Sequence, residues 1–104
     1  MSTISSYRLT SDAQRDLVGI RNFTKQRWGE LQSNKYLSEL RRTIGLLVEN
    51  PSLGKPRSDV GVGVLSFPYS SHVIYYLLHE KQLLVFGVLH KSMVPQNHLS
   101  ERGV

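Results

Sequence analysis

A chain of 104 residues with 39% apolar side chains has material for one core and not for two, and its lack of cysteine excludes disulfides, cysteine-held zinc and thiol nucleophiles. Thirteen Lys and Arg against eight Asp and Glu give a formal charge of +5, an excess that suits a polyanionic or acidic partner. No run reaches the roughly 18 apolar residues that a membrane helix needs, and Met1 to Ser6 lacks the charged start and apolar middle of a secretory signal, so a cytoplasmic protein is expected.

Ser6 to Thr10 alternates Tyr7 and Leu9 with Arg8 and Thr10, the period of a short half-buried strand. Ser11 then suits a helix N-cap, with Gln14 completing a capping box and Asp12 and Asp16 near the positive end of the dipole. The stripe Ala13, Leu17, Ile20 and Phe23 predicts the buried face of this helix, and Arg15, Arg21, Lys25 and Gln26 its solvated basic face. Gly29 breaks it, and Trp28 is expected to be buried where two helices meet. A second helix is predicted from Glu30 or Leu31 to Glu49 on the spacing of Leu37, Leu40, Ile44, Leu47 and Val48, stopped by Asn50 and Pro51. Gly45 weakens it, or else permits close packing.

Asn50 to Gly63, with two prolines and three glycines, reads as a loop leading into a strand around Val62 to Phe67. Pro68 and Tyr69 suit the centre of a tight turn. The runs HVIYYLL (from His72) and LLVFGVL (from Leu83) are too short for helices and rich in β-branched and aromatic residues, so they predict two strands buried on both faces. Strand, helical hairpin and three-stranded antiparallel meander make a single α+β domain over residues 1–104, with 1–5 and 99–104 expected to be loosely ordered.

A turn centred on Glu80 and Lys81 pairs Tyr76 with Val85, Ile74 with Gly87 and His72 with Leu89, which sets Ser71 against His90 and sends His72 and His90 to opposite faces. No G-x-S-x-G, H-E-x-x-H or acidic cluster accompanies the four histidines, so neither a serine hydrolase nor a metal site is predicted, and no cofactor is expected. Tyr69, Tyr75, Tyr76 and Phe86 suit base stacking in an RNA-binding sheet, but their apolar neighbours favour core packing.

The stretch YRLTSDAQRDLVGIRNFTKQRWGELQSNKYLSELRRTIGLLVENPSLGKPR, followed by SSHVIYYLL and VFGVLHKSM, resembles the ParE branch of the RelE/ParE superfamily of bacterial toxins from about Tyr7 to Leu99. The features that match are Tyr7, Leu9, Ala13, Asp16 with Leu17, Ile20, Trp28 with Gly29, Tyr36, Leu40, Pro51, Gly54, Arg57, the Ser71-His72-x-Ile74-x-Tyr76 strand, and Leu89, His90 and Met93. The resemblance implies the toxin of a type II toxin–antitoxin module, with two helices against an antiparallel sheet. It further implies neutralisation by a cognate antitoxin and inhibition of DNA gyrase without metal or cofactor. The RelE branch instead cleaves mRNA on the ribosome, using basic residues with an aromatic or acid–base group near the C-terminus; no tyrosine follows Tyr76 here, so a RelE-type C-terminal tyrosine is not carried over, which favours a gyrase inhibitor over a ribonuclease. Gly87 stands where ParE relatives often have arginine, and Val94 where aspartate is common. His90 and Lys91, at a strand end in the family-like VLHKSM segment, are expected to contact the target with Met93, His98 and Arg57 rather than to form a catalytic apparatus. An acidic antitoxin segment is expected to neutralise the basic helical face and to add a strand or helix to exposed apolar surface.

Overall fold

The computed structural model describes residues 4–103, so the expected looseness of 1–3 and 104 lies outside the described residues. The elements run β1 (Ser6–Leu9), α1 (Ser11–Trp28), α2 (Glu30–Glu49), a 3-10 turn (Pro51–Leu53), β2 (Lys55–Pro56), β3 (Leu65–Tyr69), β4 (His72–His79), β5 (Gln82–His90) and α3 (Gln96–Leu99). One five-stranded sheet has the order β1-β5-β4-β3-β2, antiparallel except that β1 runs parallel to β5. The expected α+β architecture holds, with the expected N-terminal strand at one edge and, at the other, β2, which lies within the segment read as a loop.

Helix α1 starts one residue earlier than its capping pattern suggested. Thr10 is the N-cap, its hydroxyl accepting the Ala13 N–H at 3.1 Å, and Asp12 sits in the first turn. Its buried side is Ala13, Leu17, Ile20 and Thr24; Phe23, expected inside, is 56% exposed. Thr24 takes the buried place because its hydroxyl is satisfied there, donating to the Ile20 carbonyl at 2.8 Å and sharing a 2.7 Å bond with Ser33 across the helix crossing. Gly29, at φ 91°, makes the tight corner into α2 that a Cβ would strain. Trp28 is 47% exposed rather than buried, lying against Tyr36 with ring centroids 5.8 Å apart. Its loss should therefore cost less than the ~3–5 kcal/mol of a fully buried indole. A Cβ on Gly45 would meet open space, so close packing does not explain that glycine.

Both helices pack on one sheet face, where Leu17, Leu40 and Ile44 meet Ile74, Tyr76, Val85 and Val88. The opposite face, with Tyr75, Phe86 and Leu89, is covered by Val64 from the β2–β3 loop and Leu99 from α3. Burial on two sides accounts for the continuous apolar runs of β4 and β5, and Tyr75, Tyr76 and Phe86 serve the core as expected. The tail is not loose: Leu99 is buried, and Arg102 places two guanidinium nitrogens on Asp16 at 2.6 and 3.1 Å while Nη1 also donates to the Phe86 carbonyl at 3.1 Å. Close packing of this tail explains Gly87, where a Cβ would lie 2.6 Å from Leu99 Cδ2. Gly54 is explained similarly: a Cβ there would overlap the Tyr76 hydroxyl, which donates to the Pro51 carbonyl at 2.7 Å.

Two registers differ from expectation. The β3–β4 turn centres on Ser70 and Ser71, with Tyr69 opposite His72 and Ser70 at φ 52°, rather than on Pro68 and Tyr69. The Glu80–Lys81 turn is as predicted, and Tyr76 pairs with Val85; beyond that point Tyr75 pairs with Gly87, so Phe86 is the extra residue of a β-bulge. Every later pair moves by one, and His72 stands directly opposite His90.

Candidate functional site

The bulge turns His72 and His90 to the same face, beside the N-terminal half of α1. Lys91 N–H donates to the Ser71 carbonyl, which makes His72 and His90 a non-hydrogen-bonded pair, the closer kind of side-chain approach. Their rings meet edge to face at 5.6 Å. His72 is buried, and its Nδ1 lies 2.7 Å from the Tyr36 hydroxyl. His90 is half-buried at the mouth, its Nδ1 accepting the Ser92 N–H at 3.1 Å and lying 2.7 Å from the Ser92 hydroxyl. A backbone N–H can only donate, so neutral His90 carries its proton on Nε2. The expected Ser71–His90 proximity is replaced by this local turn bond with Ser92, and among the described residues no carboxylate orients the ring as a hydrolase would require.

Burial, and secondarily the neighbouring His90, pushes the His72 imidazole below its ordinary value, so it is neutral at pH 7. Unfolded His72 takes up its proton near pH 6.5, whereas folded His72 resists it, so stability is full above that pH and declines as the pH falls through the interval down to the folded value. Urea midpoints measured between pH 7.5 and 5.5 should fall, and His72→Gln should flatten that decline; equal slopes in the two proteins would show that His72 does not carry it.

Around the histidine pair opens a cleft of about 480 Å³. Its floor is apolar, with Ile20, Val88 and Leu89, and its rim carries Phe23, Met93 and His98. Phe23 is 56% and Met93 43% exposed, an uncommon amount of large apolar surface to leave beside one opening. Arg15 overhangs it, held only by an exposed 3.3 Å contact with Asp12 that contributes little. Asp16, the one carboxylate of the lining, is consumed by Arg102 and by the Val88 N–H at 2.9 Å. Hydrogen-bond donors and cations thus surround an apolar floor.

Of the five residues expected to meet a target, His90, Met93 and His98 come together here. Lys91 is exposed at the end of β5, next to the cleft but outside its lining. Arg57 is not with them. It lies over the Tyr75 ring on the opposite sheet face, bonded to both oxygens of Asp59 at 3.0 and 2.9 Å. That pairing raises the Arg57 pKa, and the guanidinium, helped by Gln96, holds the Asp59 carboxyl down at about 2. Arg57 there braces the β2–β3 loop against Tyr75 of β4, and Gln96, donating to Asp59 Oδ2 at 3.0 Å, ties that loop to the tail. Sequence reasoning missed Phe23, Arg15, His72 and Tyr36 as members of the site, since they converge only through the bulge and the α1–β5 packing. Among the described residues no group of three or more His, Asp or Glu is placed to hold a metal ion, and no helix is long and apolar enough to cross a membrane.

Comparison with known proteins assigns the family. Residues 7–95 match the model of the ParE toxin of type II toxin–antitoxin systems, parDE. Toxin ParE1 of Caulobacter vibrioides is 36% identical over 93 residues, covering 89% of this chain and 96% of the relative. Toxin ParE1 of Mycobacterium tuberculosis is 33% identical over 90 residues, covering 86% and 92%. A solved chain of the chromosomal ParDE system from P. aeruginosa shares the fold with a TM-score of 0.74 at 16% identity, over 86% of this chain and 98% of that one. The chain belongs to the ParE toxins of type II toxin–antitoxin systems.

Proposed function

We propose that this toxin acts in the cytoplasm by binding DNA gyrase through the α1–β5 cleft, blocking replication as an inhibitor rather than an enzyme. The observation that carries the reading is the convergence of His90, Met93, His98 and Phe23 on one apolar opening, with no nucleophile, base and orienting group set in line among the described residues. Membership of a toxin–antitoxin family implies an antitoxin partner. A second groove suits it, between the two helices and β1, where Leu17, Val18 and Leu37 form an apolar floor and Arg21 and Arg41 a cationic rim for an acidic segment.

A contact makes graded demands, whereas an essential acid–base group slows a chemical step by about 10²–10⁴-fold with little change in binding. His90→Ala and His90→Gln, in folded protein, should weaken inhibition of gyrase supercoiling by about 5- to 30-fold, equivalent to about 1–2 kcal/mol. If the wild-type chain cuts mRNA on ribosomes, and His90→Gln abolishes cutting while ribosome binding persists, a ribonuclease takes the place of the gyrase inhibitor.

A further inference from the structure

Strand β5 lies inside the sheet at one end and at its edge at the other. Its partner β1 stops at Leu9 opposite Val85, and the last contact on that side is the Thr10 N–H on the Val85 carbonyl at 3.0 Å. Beyond it, side chains take over the work of a neighbouring strand: Arg102 donates to the Phe86 carbonyl, and Asp16 accepts the Val88 N–H. The register gives the rest. Because Lys91 N–H donates to the Ser71 carbonyl, residues 88 and 90 turn both of their backbone groups away from β4. The His90 carbonyl accepts the Met93 N–H at 2.9 Å. Among the described residues the Val88 carbonyl and the His90 N–H are then left without a protein partner, and both residues line the cleft.

We propose that an extended acidic segment of the target protein adds to the sheet at this point, parallel to β5, as a continuation of the line of β1. This rests on the reading of the cleft as the target surface; the mode of binding comes from the backbone. An antiparallel strand uses the N–H and the carbonyl of the same residue, but Val88 has already committed its N–H and His90 its carbonyl. A parallel strand uses the carbonyl of one residue and the N–H of the residue two further on, which is the pair left open. One partner residue opposite Leu89 donates to the Val88 carbonyl and accepts from the His90 N–H. Its two neighbours point into the cleft against Ile20, Phe23 and Met93, so apolar side chains belong there. Arg15 and His98 at the opening and exposed Lys91 at the end of β5, with the Asp16 charge already neutralised, favour carboxylates at the remaining positions. Gly19 keeps the helix side of the channel clear, since a Cβ there would meet nothing within 4 Å.

The test uses the full chain and the amidated peptide Glu-Leu-Glu-Leu-Glu carrying an N-terminal fluorescein on a flexible linker. Fluorescence anisotropy should detect binding below millimolar concentration, and the His90 amide should exchange with solvent at least tenfold more slowly when the peptide is bound. N-methylation of the central Glu, whose N–H meets the Val88 carbonyl, should weaken binding at least tenfold, while N-methylation of either Leu, whose N–H faces away from β5, should not. Gly19→Leu, with its fold checked by circular dichroism, should close the channel and weaken binding to a similar degree. Absence of binding at 1 mM, equal effects of all three N-methylations, or an unprotected His90 amide overturns strand addition without bearing on gyrase inhibition, which is measured separately by supercoiling. Twelve-residue peptides tiled from both gyrase subunits and from the antitoxin identify the source: methylation-sensitive binders from gyrase support the assignment, and binders from the antitoxin alone overturn it.

Discussion

Arg102→Ala is expected to lower the unfolding free energy by about 3 kcal/mol, a large effect for a residue two positions from the end of a 104-residue chain. The Arg102 and Asp16 side chains are each only 15% exposed, and their ion pair joins the tail to the first helix across 86 positions of sequence. Truncating the arginine strips the Asp16 carboxylate of its countercharge in a partly dry place and leaves the Phe86 carbonyl without a donor, while the Val88 N–H keeps its acceptor. Arg102→Lys should recover the charge but not the planar fork that reaches two oxygens and a carbonyl together, and so should fall between the two. Urea titrations decide the matter. A midpoint in Arg102→Ala equal to that of the parent would mean that the pair is solvated and that Leu99 alone docks the tail.

What could be read from the sequence followed from periodicity, and what could not followed from exceptions to it. The repeat of Leu37, Leu40, Ile44 and Leu47 identified α2 and its buried side, because an interior that excludes water accepts only one side of a 3.6-residue helix. The same logic failed at Phe23. There a threonine whose hydroxyl reaches the Ile20 carbonyl and Ser33 enters the interior, and the phenyl ring is left at the cleft. In β5 strict alternation held only up to Val85, and a single bulge residue reversed the relation of the two histidines on which the reading of the site depended. Gly87 was the available signal, since a glycine inside an apolar strand marks a bulge or a close approach, and here it stands beside one and makes the other. The pairing of Arg57 with Asp59 was equally open to view two positions apart, whereas Asp16 with Arg102 had no local trace. His90, Met93 and His98 were legible as a cluster because they follow one another past a strand end; Tyr36 and His72 joined them only through the tertiary fold.

Gly87→Arg is expected to destabilise this protein by about 3 kcal/mol. The first methylene already meets Leu99 Cδ2 at 2.6 Å and Arg102 Nη1 at 3.4 Å, so the new side chain must either displace α3 or force β5 away from the second core of Val64, Tyr75 and Phe86. A second guanidinium beside Arg102 adds like-charge repulsion where Asp16 is the carboxylate at hand. The steric part can be separated from the charge. Gly87→Ala alone should cost about 1–2 kcal/mol, and much of that should vanish in a Leu99→Ala background, giving a coupling of about 1 kcal/mol between sites that an unstrained pair would not show. Strict additivity in that cycle would place α3 off the sheet. The coupling makes the glycine and the docked tail a single adaptation: in this chain the sheet face is covered by its own C-terminal helix, and the position that lies beneath Leu99 has no room for a side chain.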